Sequence, residues 1–129
     1  MGSVSHLMGF YGQTITVLRP AKISDRYNPR GERLSYEIAE GAQRIPVSFG
    51  VELQPRLEVE TDENGTRVAT RTVWWLCTPD GFDLDVEATD RIGYAGRDLD
   101  IVGEVHRWPS VDHPSGVDHV ELALEYKNG

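Results

Sequence analysis

VELQPRLEVETDENGTRVATRTVWWLCTP, residues 51–79, is the stretch whose reading decides the fold. It ends in the most apolar run of the chain, TVWWLC (72–77), which Pro79-Asp80-Gly81 closes. A run that short, rich in β-branched and aromatic residues, reads as a buried strand rather than a helix. It is expected to be the central strand of an all-β domain. Upstream, Leu57 and Val59 are the only apolar residues between Pro55 and Val68, and Glu58, Glu60, Asp62 and Glu63 precede Asn64-Gly65. An Asn-Gly pair favours a type I′ turn, because both central positions need positive φ. The flanks 57–61 and 66–70 are too polar for a core hairpin. Residues 55–70 are therefore expected to project as an arm or mobile loop, ordered when something packs against it.

Working outward, alternating apolar residues mark further strands. Val47, Phe49, Val51 and Leu53 alternate after Pro46, and Leu34, Tyr36 and Ile38 alternate before Gly41. Residues 24–33 (SDRYNPRGER) are dense in turn formers and read as a loop. Residues 13–18 make a strand that Pro20 stops. Residues 1–12 read as a flexible lead-in. On the other side, 83–87 and 98–101 place acids on one face and aliphatics on the other, as half-buried strands do. A short strand is expected at 91–94 with a turn at Gly96, then an apolar-rich run to Trp108 and a loop over 109–116. Residues 117–127 admit a helical face through Val117, Val120 and Leu124, but Val120, Leu122, Leu124 and Tyr126 alternate strictly, so a strand is expected. Seven or eight short strands without a helix make a small β-barrel or sandwich.

At 129 residues the chain is long enough for one domain with a core of its own. A hydrophobic fraction of 39% and three tryptophans argue against disorder. Cys77 is the single cysteine, which excludes an internal disulfide and a four-thiolate zinc site. No apolar run reaches the roughly 18 residues of a membrane span, and no basic region with an apolar core opens the chain. A soluble protein made in a reducing cytoplasm is expected. Twenty-one acids against 13 bases leave a net charge of −8. That balance opposes a grip on nucleic-acid phosphates, and it suits either solubility or a wall past which DNA slides without sticking.

Catalytic motifs are missing: the sequence has neither a G-x-x-x-x-G-K phosphate loop nor a G-x-S-x-G elbow. Cys77 sits inside an apolar strand, where burial raises a thiol's pKa and makes it inert. His106, Asp112, His113, Asp118 and His119 are competent metal donors. Neither the 112–113 nor the 118–119 pair has the i, i+4 or i, i+2 spacing that aims two ligands together, so loop histidines in water are expected, with no metal or cofactor. Asp83, Asp85, Glu87, Asp98 and Asp100 read as the wet faces of strands rather than as calcium ligands or an acid–base pair. Trp74 and Trp75 are adjacent and point to opposite faces. One of them lies under a covering loop or in a contact with another chain, and Trp108 before Pro109 is similar. Outward aromatics serve as interface anchors.

Five segments carry a resemblance: TITVLRP (14–20), Asp25-Arg26-Tyr27-Asn28-Pro29, VELQPR (51–56) before a hydrophilic loop, TVWWLCTP (72–79) and DVEATDRIGYAG (85–96). Together they resemble the small head-to-tail connector proteins of long-tailed bacteriophages, more narrowly the head-completion or stopper proteins of phages infecting actinobacteria. Relatives tend to read LYxP at the fourth segment and D-V-x-A-T-D-R-V at the fifth. A G-x-x-Y-x-V segment follows there, where this chain has LDIVGEV (99–105), with Ile101 in place of the tyrosine.

The resemblance implies a β-barrel subunit of a homo-oligomeric ring in the virion neck, a hexamer first and a dodecamer second, present in host cytoplasm before assembly. A portal or adaptor ring would lie on the head side and a tail terminator or tail tube protein on the other. Packaged double-stranded DNA would pass the channel without specific binding, and neither a membrane nor an enzymatic step is implied. The family's channel-closing loop maps onto 55–70, making Glu58, Glu60, Asp62, Glu63, Asn64, Gly65 and Arg67 the gating residues. Arg26, Tyr27, Trp74 and Trp108 are the subunit-contact candidates. The alternatives are a tail terminator or adaptor of the same neck and, from another class, a small β-barrel nucleic-acid- or ligand-binding module. The last should carry basic residues and aromatics on one face.

Overall fold

The computed structural model describes residues 11–25 and 27–126, and of residues 25, 28–30, 67 and 68 the backbone. Most of the expected lead-in, 1–10, and the contact candidate Arg26 lie outside the described residues. The strands are β1 (Thr16–Arg19), β2 (Ala21–Asp25), β3 (Asn28–Ser35), β4 (Gln43–Pro46), β5 (Glu52–Thr61), β6 (Arg67–Cys77), β7 (Arg91–Tyr94), β8 (Arg97–Pro109) and β9 (Val117–Tyr126). A 3-10 turn at Ile38–Glu40 is the one helical element among the described residues, and no helix is long and apolar enough to cross a membrane.

The fold is all-β. Seven strands form one antiparallel sheet in the order β4-β1-β7-β8-β9-β6-β5, and β2 and β3 form a separate ribbon. Gln13, just before β1, exchanges both backbone hydrogen bonds with Val51, just before β5, at 3.1 and 2.9 Å. β1 lies next to one edge and β5 is the other, so the sheet must curl back on itself to make this bridge. One bridge is not a ladder, and no closed barrel forms among the described residues. Ile15, Val17, Leu53, Leu76, Ile92 and Leu99 pack inside the curl with Val120, Leu122 and Leu124 of β9. The alternation of β9 is therefore the strand pattern expected, with Val120, Leu122 and Leu124 buried and Tyr126, at the strand's end, exposed.

Several expectations are corrected. The TVWWLC strand β6 is not the middle of the sheet, a position β8 holds. Residues 24–33 are not a loop: β2 and β3 pair out to Asp25 opposite Asn28, with a register shift between Ser24 and Asp25. Pro29 is tolerated because it falls in that register shift, where residues 29–31 have no partner on β2. The strand expected through Ile38 stops at Ser35, whose hydroxyl donates to Glu40 (2.7 Å) and accepts from the Glu37 amide (3.2 Å). Such local side-chain bonds compete with a ladder and favour a turn. The strand expected over 47–53 is broken, because β4 and β5 lie at opposite edges and the chain must cross between them.

Residues 83–87 keep the alternation of a strand without pairing as one. Leu84 and Val86 are 2% and 1% exposed. Arg107 Nη2 donates to the Leu84 carbonyl (2.9 Å) and the Val86 carbonyl (2.7 Å), and Arg19 Nη2 donates to the Asp85 carbonyl (3.1 Å). The Asp90 carboxylate accepts from the Glu87 amide at 2.8 Å. Side chains supply the bonds a neighbouring strand would supply, which satisfies the backbone of a buried strap.

Candidate functional site

β5 and β6 pair from Glu52 opposite Cys77 out to Thr61 opposite Arg67. β9 pairs with β6 only over 74–77. Beyond that support the hairpin is two-stranded, and its 57–61 limb extends about 17 Å at ~3.4 Å per residue. The expected arm is therefore a two-stranded ladder, whose register shifts between Glu60 and Thr61. Threonines and valines line both limbs, and these fit a pleated surface without needing a core.

The tip differs from a type I′ turn. Gly65 has a φ of 79°, but Asn64 is not among the residues with positive φ. The Gly65 amide donates to the Asp62 carbonyl (3.0 Å) and the Asp62 amide to the Thr66 carbonyl (2.9 Å). Asp62 Oδ1 accepts from the Asn64 amide (2.9 Å) and the Thr66 amide (2.8 Å). This is a type I turn followed by a left-handed glycine, a three-residue loop. Asp62 decides it, since its carboxylate draws two amides to one side.

The two faces of the arm differ. Glu58 pairs with Arg71 at 3.2 Å, and Arg71 also reaches Glu125 on β9 at 3.1 Å. All three are well exposed, so each pair contributes about 0–1 kcal/mol and serves chiefly to orient the base of the arm. Glu60 and Glu63 are exposed. Residues 55–71 hold four acids and three arginines, so the negative excess is confined to 58–63. Arg67 opens β6, and its side chain is outside the description. On the other face Leu57 and Val59 are 69% and 50% exposed. By strand alternation they continue the row of buried Leu53, so the apolar face runs out past the core.

The contact candidates fall on separate elements. Tyr27 is at the tip of the β2–β3 ribbon and almost fully exposed. Trp74 is half-buried against the core, its ring centroid 6.3 Å from that of Tyr94. It lines a cavity of about 180 Å³ with Tyr94, Arg97, Leu99 and Tyr126. Of the tryptophan pair, Trp75 is the outward one, with the Arg56 guanidinium 4.8 Å from its ring centroid. Trp108 is half-exposed and stacks on His119 at 5.8 Å.

That stack leads to a cluster the local spacing did not reveal. Cys77, His119 and Glu121 each offer a donor atom, all within 4.8 Å of one another. His119 is not a loop histidine in water: Nδ1 lies 2.7 Å from Asp118 Oδ2 and Nε2 lies 3.0 Å from Glu121 Oε1. Burial alone would lower its pKa, but hydrogen bonds to Asp118 and Glu121 outweigh that and raise it. The Cys77 thiol is pushed up to about 11 by burial and by the charges of Glu121, Glu52, Asp80 and Asp118. That direction is the reverse of an activated cysteine nucleophile. His119-x-Glu121 is an i, i+2 pair, the strand-face signal, once 117–126 is read as a strand. Compared with known proteins, the chain matches no protein-family model and no curated relative.

Proposed function

We propose that the protein is a structural subunit of a long-tailed bacteriophage neck, a head-to-tail stopper whose homo-oligomeric ring retains packaged DNA and docks the tail. The observation that supports this reading is the arm, an ordered hairpin standing clear of an all-β frame, with acids at its tip and an apolar face. Around a ring, Leu57 and Val59 of neighbouring arms bury each other, while Glu58, Glu60, Asp62 and Glu63 repel phosphates and keep DNA from adhering. The seal then comes from arm-to-arm packing. A ring requires two different faces of the subunit to meet. The outward Trp75 and Trp108 offer material for such contacts.

The test is to replace residues 58–68 with a short turn in the particle that carries this protein. Particles that package DNA and then lose it support the gate. Particles that retain DNA and infect normally refute it.

A further inference from the structure

We propose that Cys77, His119 and Glu121 form a site for a borderline transition-metal dication of the zinc class. The inference does not rest on the neck reading. In the β6–β9 ladder Cys77 stands opposite Glu121, so the two side chains leave the same face of the sheet. His119, two residues earlier on β9, leaves that face too. Their donor atoms lie within 4.8 Å of one another. A tetrahedral zinc with these ligands needs separations of roughly 3.3–3.6 Å, within reach of side-chain rotation alone.

The surroundings match what a metal-bound imidazole requires. Asp118 Oδ2 sits 2.7 Å from His119 Nδ1. A carboxylate there accepts a hydrogen bond from Nδ1–H, which fixes the tautomer and leaves Nε2 as the ligand atom. Nε2 is the nitrogen that faces Glu121, at 3.0 Å. Trp108 stacks on the ring with its plane only 21° away, which holds the imidazole in orientation. The donor set of sulfur, nitrogen and oxygen excludes calcium and magnesium, which take oxygen ligands, and suits zinc or cobalt.

As the sulfur–metal bond forms, the thiol proton leaves to solvent. Glu52 is the partner of Cys77 on β5 and lines the same cavity, of about 270 Å³, with Trp75 and Arg56. The three donors leave the ion's fourth position to water, and an ion there clamps β6 to β9.

Cobalt is the probe. The full chain, reduced and freed of metal with a chelator, is titrated with Co²⁺ and followed by absorbance. One equivalent should bring a thiolate-to-cobalt charge-transfer band with intense tetrahedral visible bands, and zinc should displace both. Cys77→Ser should abolish the charge-transfer band. His119→Ala and Glu121→Gln should each weaken binding by about tenfold or more, and Asp118→Asn by a similar factor through the second sphere. Circular dichroism confirms that each variant is folded, and if His119→Ala is not, Glu121→Gln carries the test. A missing charge-transfer band overturns the site. So does a band whose affinity is unchanged in Glu121→Gln and Asp118→Asn, which would mean a lone thiol complex.

Discussion

Replacing Asp90 with alanine removes the anchor that holds the 83–87 strap to β1. The Asp90 carboxylate is fully buried and accepts from Arg19 Nη2 (3.0 Å), Arg19 Nε (3.3 Å) and the Glu87 amide (2.8 Å). Its hydrogen bonds push the Arg19 ionisation upward and keep that guanidinium charged. The 3.3 Å contact is long and counts least. The two shorter bonds, at about 1.5–3 kcal/mol each for a charged partner, give roughly 3–6 kcal/mol. Breaking a buried pair by removing one partner costs about 3–5 kcal/mol, which agrees. Against a total stability of about 5–15 kcal/mol, that is a large share. Urea unfolding followed by tryptophan fluorescence should show a loss of about 3–5 kcal/mol, and the melting temperature should fall by roughly 10–20 °C. Asp90→Asn keeps shape and one acceptor and should lose about half as much. In an Arg19→Met background, Asp90→Ala should cost at least about 1 kcal/mol less than in the parent chain. A loss below about 1 kcal/mol for Asp90→Ala, with an unchanged urea slope, would refute the account of the strap.

Two further outcomes test other parts of the fold. Ala95 has a φ of 52° and Gly96 of 78° in the β7–β8 turn, a type I′ pair with alanine at a left-handed position. The left-handed cost of about 1–2 kcal/mol exceeds the unfolded-state entropy that glycine adds, so Ala95→Gly should stabilise by about 0.5–1 kcal/mol; a lower urea midpoint would contradict the turn. With chelator present, Cys77 should alkylate slowly: a thiol at about 11 is roughly 0.1% thiolate at pH 8, some two hundred-fold less than an ordinary one. The rate should climb about tenfold per pH unit to pH 10, and full reactivity at pH 8 would show that the thiol is not shielded.

Alternation was legible wherever one face of a strand meets the core. Val120, Leu122 and Leu124 announce β9, and Ile15 and Val17 announce the segment that enters β1. It misled at 83–87, where Leu84 and Val86 are as regular as in any strand. What makes that segment a strap is the identity of its partners, the guanidiniums of Arg19 and Arg107, and no local pattern encodes a partner so distant in the chain. Turn chemistry misled twice. Asn64-Gly65 carries the type I′ signature, yet the Asp62 carboxylate imposes another loop, while the true I′ turn uses Ala95, a residue that seldom adopts that conformation. Between 24 and 33 the turn formers are spread so evenly that composition hid a ribbon. The arm was legible because four acids and two stray aliphatics fit no core. The Cys77–His119–Glu121 cluster was not, because it exists only in the register between β6 and β9.

Among the described residues, a sheet that meets itself through a single bridge keeps two raw borders, and the longer one is a solubility problem. Val51 turns both its N–H and its C=O toward Gln13, away from β6. Alternation then sends the backbone groups of residues 53, 55, 57 and 59 outward along the same border. Such a row is a template for fibril-like growth by any passing strand. Pro55 falls within it and has no N–H to offer, so the row of donors is cut between Leu53 and Leu57. Glu58 and Glu60 flank the exposed Val59 with charge, as gatekeepers do. A stranger's strand therefore finds only a short, interrupted stretch to copy, and the chain can carry an apolar arm without precipitating on its own kind.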